Sequence, residues 1–205
     1  MGITERRKQE KEVIKKKIID AAKNILVKEG YENLSIRKIA SKIEYSPGII
    51  YHYFKDKAEI VNFIVEDGYG NILKTISAIP VDSENPDKTI ENTLRAYIEL
   101  MLEIPEQFRA ILMNDIEGIQ EKVNILEQGI GKKRKSIGQL CKLIEIGIEK
   151  HKFRKMDIEL TAQIILTSTQ GLISRLILEK NMCEKQKERL INHHIEILIK
   201  GLSNN

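Results

Sequence analysis

Cysteine, proline and histidine are scarce in this sequence, and each shortage excludes something. Cys141 and Cys183 are the two cysteines in 205 residues; far apart and in no CxxC pair, they supply neither a disulfide framework nor a zinc site of recognised spacing. Both sit in apolar helical contexts and are expected as buried, reduced thiols, with a redox switch between them as the alternative. Four prolines and 12 glycines leave long stretches without a helix breaker. Together with 41% hydrophobic and 31% charged residues, that suits a mostly helical soluble chain. No apolar run approaches the ~20 residues of a membrane span, and the N-terminus lacks a signal peptide's apolar core. A cytoplasmic setting without membrane contact is expected.

The histidines form no constellation. His193 and His194 are adjacent, so on a helix they point about 100° apart and chelate one ion poorly, while His52 and His151 are remote in sequence. The segment GIGKK, residues 129–133, lacks the four-residue gap between glycines and the Ser or Thr after Lys that a phosphate-binding loop requires. With no nucleophile elbow and no metal cluster either, neither an enzyme nor a cofactor is expected.

What the chain does have is positive charge in one place. Residues 1–57 hold 14 Lys and Arg against 8 Asp and Glu, whereas the remainder holds 20 against 22. All the excess therefore lies in the first quarter, as a phosphate-binding surface needs, although a solvated lysine-rich face would give the same count.

Within that quarter, Leu34 to Lys57 reads as two short helices and a tight connection. Ser35 is placed to N-cap a helix from Ile36 to about Ile43, and Ser46 to cap the next, with Pro47 at its first position. In the second helix Ile50 and Phe54 share one side, and Gly48, Ile49 and His52 the other, with Tyr51 and Tyr53 flanking His52. An apolar heel thus opposes a small or polar crest between two phenols. A phenol donates to a phosphate oxygen while its ring fills a groove wall, and Gly48 lets the backbone come close to a phosphate. Asp56 with Glu59 matches a capping box for a third helix beginning at Lys57.

These residues resemble the DNA-binding domain of the TetR family of transcriptional regulators. Ser35, Ile36, Ile39, Ala40, Ser46, Gly48, Ile50, Tyr51, Tyr53, Phe54 and Lys57 stand where the family pattern puts them. The likeness extends back to Ile18, Ala21, Ala22, Gly30 and Tyr31 and forward to Ile60. One departure is Glu44-Tyr45, where a glycine followed by an apolar residue is common. The resemblance implies an all-α fold: a three-helix helix-turn-helix domain over residues 1–57, then a helical effector-binding and dimerisation domain over 58–205.

The remaining elements follow from apolar spacing and breakers. A first helix is expected from Thr4 to Glu29, ended by Gly30, with Arg6, Arg7, Lys8, Lys11 and Lys15 to Lys17 either fraying into an arm beside DNA or overhanging in solvent. Further helices are expected from Lys57 to Ile79, from Pro86 behind Asn85 to about Glu103, over Glu106 to Ile116, between Gly118 and Gln128, and from about Lys133 to His151. The last two are expected from behind Asp157 to about Lys180, too broadly apolar for burial on one side only, and from Glu184 to Leu202, with Ile191, Ile195, Leu198 and Leu202 as a seam.

The resemblance implies a homodimer through these last two helices (about 158–180 and 184–202), holding two reading helices one DNA turn apart, roughly 34 to 36 Å, on a near-palindromic operator. Tyr51, Tyr53, Lys57 and Ser46 are assigned mainly to phosphates and Ile49, His52 and Arg37 to bases, with Ser35, Pro47 and Gly48 completing the DNA-binding set. An unknown small apolar effector is expected to release a repressor from double-stranded DNA. Tyr97, Met101, Phe108, Met113, Cys141 and Gln170 are candidate cavity residues, and the run Thr167 to Gly171 hints at polar groups needing partners. A helical DNA-binding protein without an effector, architectural or partner-controlled, is the alternative.

Overall fold

The computed structural model describes residues 3–105, 108–109, 126–179 and 181–204. The expected helices over Glu106 to Ile116 and between Gly118 and Gln128, and with them Met113, lie essentially outside the described residues. Among the described residues there are nine helices and no strand: α1 Ile3–Glu29, α2 Ile36–Lys42, α3 Pro47–Tyr51, α4 Lys57–Ser77, α5 Pro86–Glu103, α6 Ile130–Lys133, α7 Lys135–Glu149, α8 Ile158–Leu178 and α9 Glu184–Leu202. Contacts divide the chain into two compact units, Met1–Tyr69 with Glu106–Asn124, and Gly70–Pro105 with Ile125–Asn205.

The first unit is organised by an apolar cluster drawn from α1 to α4. Ile18, Ala22, Leu34, Ile39, Ala40, Ile50, Ile60 and Ile64 are all but inaccessible to water, and Phe54 joins them. At 20–33 cal/mol per Å² of apolar surface removed from water, these side chains supply the main force holding the four helices together. Phe54 meets Phe63 edge to face at 5.9 Å, a favoured aromatic geometry. Gly30 ends α1 with φ +80°, the left-handed value that glycine adopts without strain.

The caps behave in two ways. Ser35 Oγ accepts from the Lys38 amide at 3.2 Å, as its position in the sequence requires. Ser46 occupies the corresponding place before α3 with extended backbone, but its side chain makes no capping bond. The expected cap is absent and Pro47 alone fixes the start of that helix. At the start of α4, Asp56 Oδ1 accepts from the Glu59 amide at 2.9 Å, and the Glu59 carboxylate accepts from the backbone amide of Lys55.

In the second unit, α7 packs on α5, α6 and α8, and α5 also meets α8 and α9. In the GIGKK segment Gly129 turns the chain at φ +84°. Ile130–Lys133 forms a short helix, Arg134 breaks it with φ −112° and ψ 112°, and α7 starts at Lys135. Glu159 anchors this corner: its carboxylate accepts from the amides of Gly129 and Gly131, both at 2.7 Å, which holds its pKa below the usual range. The two amides that a phosphate would need are thus already bonded to a side chain of α8.

Asp157 caps α8, accepting from the Leu160 amide at 2.9 Å. The expectation that α8 is buried on more than one side is not met within one chain. Ala162, Ile165, Thr169, Ile173 and Leu176 are buried, but Leu160, Ile164 and Leu178 are each more than half exposed. In α9, Ile191, Ile195 and Leu202 are buried, Leu198 is half-buried and Ile197 is exposed. Both cysteines are free; Cys183 is exposed and Cys141 half-buried, which corrects the expected burial. Cys183 falls at the N-cap of α9, where the chain turns through solvent. No described helix is long and apolar enough to cross a membrane.

Candidate nucleic-acid interface

The reading element α3 is held from beneath. Ile50 and Phe54 lie in the core, and the Phe54 amide donates to the Ile50 carbonyl at 3.0 Å, carrying helical geometry one turn past Tyr51. The opposite side is open to solvent: Gly48 and His52 are exposed, Tyr51 is 59% exposed, and Ile49 and Tyr53 are half-buried.

Glu44 settles how α2 hands over to α3. It adopts φ +60°, its amide bonds to the Ser41 carbonyl at 3.3 Å, and the Tyr45 amide to the Ala40 carbonyl at 3.0 Å. This is the paired hydrogen-bond pattern of a Schellman C-cap, normally served by glycine at the left-handed position. The turn therefore has the glycine geometry despite the glutamate.

The expected DNA-contacting residues fall into three groups. Gly48, Tyr51 and His52, with Ser46 and Pro47 at the helix start, are exposed on one open ridge, Ile49 is half-buried beside them, and Tyr53 is half-buried and packs against the core. Arg37 is exposed on α2 and has no hydrogen-bond or ion-pair partner among the described residues. Ser35 and Lys57 are engaged within the protein: Ser35 caps α2, and the Lys57 ammonium lies 4.2 Å from the Tyr31 ring centroid and 3.4 Å from the Tyr31 carbonyl oxygen. A Cβ built on Gly48 meets nothing but Ser46 Oγ, at 3.7 Å. The protein itself therefore has no steric need for glycine there. Lys55 is a cation that the sequence reading passed over; it is exposed beside the ridge, and its place between Phe54 and Asp56 was the available signal.

The candidate effector residues scatter. Gln170 Nε2 approaches the Tyr97 hydroxyl at 3.5 Å, linking α8 to α5. Tyr97 and Met101 are buried in the second unit, Cys141 lies by Gly131 at the α6 corner, and Phe108 is buried but assigned to the first unit. The polar run of α8 is satisfied largely by its own helix: Thr167 donates to the Gln163 carbonyl at 2.9 Å, Ser168 to Ile165 at 3.1 Å and Thr169 to Ile165 at 2.7 Å. Hydroxyls that bond back to a carbonyl three or four residues earlier need no ligand. Thr169 also meets His194 Nε2 at 3.1 Å, and burial lowers the His194 pKa from its ordinary value near 6.5.

Comparisons with known proteins agree with this architecture. Residues 18–63 match the family described as "Bacterial regulatory proteins, tetR family", and residues 83–204 match "QacR-like protein, C-terminal region". The "Fatty acid metabolism regulator protein" of Bacillus subtilis is 22% identical over 196 residues, covering 91% of this chain and 94% of that protein. A solved fatty acid degradation regulator from Bacillus halodurans superposes with a TM-score of 0.72 at 19% identity, covering 90% of this chain and 94% of the other. A ketosteroid transcriptional regulator of Mycobacterium tuberculosis gives 0.71 at 16% identity, covering 93% and 95%.

Proposed function

This chain belongs to the TetR family of bacterial transcriptional regulators, and from that premise we propose that it is a homodimeric repressor. It binds a near-palindromic operator through two copies of α3 and is released by a small apolar effector. The observation that carries the reading is the two-sided character of α3: Ile50 and Phe54 are sunk in the core while Gly48, Tyr51 and His52 face solvent. In this reading Ser46, Tyr51 and Tyr53 hold phosphates and fix register, Lys57 joins them by exchanging Tyr31 for a phosphate, and Ile49, His52 and Arg37 read base edges. Ser46, whose side chain makes no capping bond, has its hydroxyl available for such a contact. The division of labour we propose is residues 1–57 for DNA and 58–205 for dimerisation and effector control, in the cytoplasm.

The uncovered apolar side chains of the last two helices support self-association. Leu160, Ile164 and Leu178 on α8 and Ile197 on α9 are each more than half exposed, which is a poor arrangement for a helix pair that stays alone in water. The effector acts by binding one conformer better than another, so that the population with DNA-matched reading helices falls. Relatives named for fatty acid metabolism and degradation support a fatty acid or a derivative as the effector class, and genes of lipid metabolism as targets.

The test is a mobility shift on the DNA upstream of the protein's own gene and on duplexes selected in vitro, with and without a series of fatty acids. Specific retardation, relieved by one chain-length class and lost in Tyr51→Ala and His52→Ala at unchanged melting temperature, is the expected result. Failure of the unaltered protein to select any sequence would overturn the reading.

A further inference from the structure

Helix α1 is longer than its packing requires. Its first core residues are Ile18 and Ile19, yet the helix begins at Ile3, and residues 4–13 are exposed on every side. The match to the regulator family begins at residue 18, so the overhang lies outside the matched segment. Its composition is one-sided: residues 1–17 carry 7 Lys and Arg against 3 Glu.

At about 100° per residue, Arg7, Lys8, Lys11 and Lys15 fall within one arc of roughly 100°, while Glu5, Glu10 and Glu12 lie outside it. That arc continues the side that presents Ile18 and Ala22 to the core further along the helix. Arg6 pairs with Glu10 at 3.4 Å, but Arg7, Lys8 and Lys11 have no partner among the described residues. At the base of the overhang, Lys15 on the stripe and Lys17 outside it lie near the two ends of the reading element. Lys15 Nζ lies 4.1 Å from the Phe63 ring centroid and 5.9 Å from that of Phe54, which closely follows α3; Lys17 Nζ lies 5.6 Å from the ring of Tyr45, just before α3.

We propose that this overhanging stripe, Arg7, Lys8 and Lys11, is a second DNA contact surface that clamps backbone phosphates flanking the site read by α3. The proposal rests on the reading of α3 as a DNA-binding element. A rod of unpaired cations rooted in the same unit as that ridge adds affinity without sequence choice, because phosphates carry no base information. An anionic lipid surface is the other polyanion such a stripe would suit. Residues 4–12 contain no apolar side chain, however, and membrane-surface helices need an apolar face to bury.

The test compares the unaltered full chain with Arg7→Gln/Lys8→Gln/Lys11→Gln on a duplex selected in vitro by the unaltered protein and on an unrelated duplex, as log affinity against log salt. A control variant, Lys142→Gln/Lys155→Gln/Lys185→Gln, removes equal charge from the second unit. The expected result is a slope shallower by about 0.9 per lost phosphate contact in each protomer, equal on both duplexes. Sequence preference and melting temperature should stay unchanged, and the control slope unaltered. Unchanged slopes in the overhang variant, while His52→Ala still abolishes discrimination between the duplexes, overturn this proposal and leave the reading of α3 intact. Equal slope losses in both triple variants also overturn it, as an effect of net charge. Unchanged slopes with loss of binding to phosphatidylglycerol vesicles would assign the stripe to membranes instead. If the unaltered protein selects no duplex, both readings fail.

Discussion

At Glu44 the backbone takes φ +60°, a conformation that disfavours a side-chain-bearing residue by roughly 1–2 kcal/mol. Glycine there would remove that strain but lose more freedom on folding, so Glu44→Gly should stabilise the protein by about 0.5–1 kcal/mol net. The corresponding rise in melting temperature, roughly 2 °C for a chain of this size, is readable by circular dichroism. Gly48 makes the opposite case, because no atom of the protein crowds its missing Cβ. Gly48→Ala should leave the melting temperature unchanged or slightly raised while weakening operator affinity, and a fall in stability would show that the fold requires the glycine. His194 brings a pH term. Its folded pKa is depressed by burial, so the unfolded chain binds the proton more readily, and this contribution is present above about pH 6.5 and lost as pH falls toward the lower folded value. His194→Gln should therefore flatten the stability profile below pH 6.5 in chemical denaturation.

Among the elements, the two serine caps look alike in sequence and differ in structure. Ser35→Ala removes a made bond and should destabilise by about 1 kcal/mol, whereas Ser46→Ala removes none and should leave stability unchanged while reducing DNA affinity. The contrast was not legible beforehand, since a serine before Ile36 and a serine before Pro47 present the same local signal; in the fold Ser35 stands at φ −145° and Ser46 at φ −75°. The end of α7 shows a related limit. Gly147 reads as a neutral residue in a helix, but a Cβ there would sit 2.0 Å from the buried Phe153 ring. Phe153 is held in place where its strand-like bridge to Ser203 ties the loop before α8 to the C-terminus. Gly147→Ala should therefore cost about 1–3 kcal/mol by overpacking, visible as a lowered denaturation midpoint.

For the whole molecule, the apolar periodicity of α8 was legible but its burial was not. Ile164 and Ile165 are equal in the sequence, yet one is 58% exposed and the other 2%, because one chain has only enough neighbours to cover one side. If a second copy covers the other, Ile164→Arg with Ile197→Arg should shift the mass in sedimentation from dimer to monomer and weaken operator binding by orders of magnitude, leaving the helical content intact. A dimer that persists in the double variant would place the interface elsewhere.

The sequence by itself determined what depends on near neighbours along the chain: where α2, α3, α5 and α9 begin, the buried heel of Ile50 and Phe54, and the concentration of positive charge before residue 58. Helical period, capping residues and proline act within a turn or two, so they can be read without knowing what lies across the fold. Only the tertiary structure decided that Glu159 fills the amides of the glycine segment, that Lys57 leans on Tyr31, that the hydroxyls of α8 are already satisfied and that α1 outruns its core. Each of those depends on a group distant in sequence, or on where the packed surface stops.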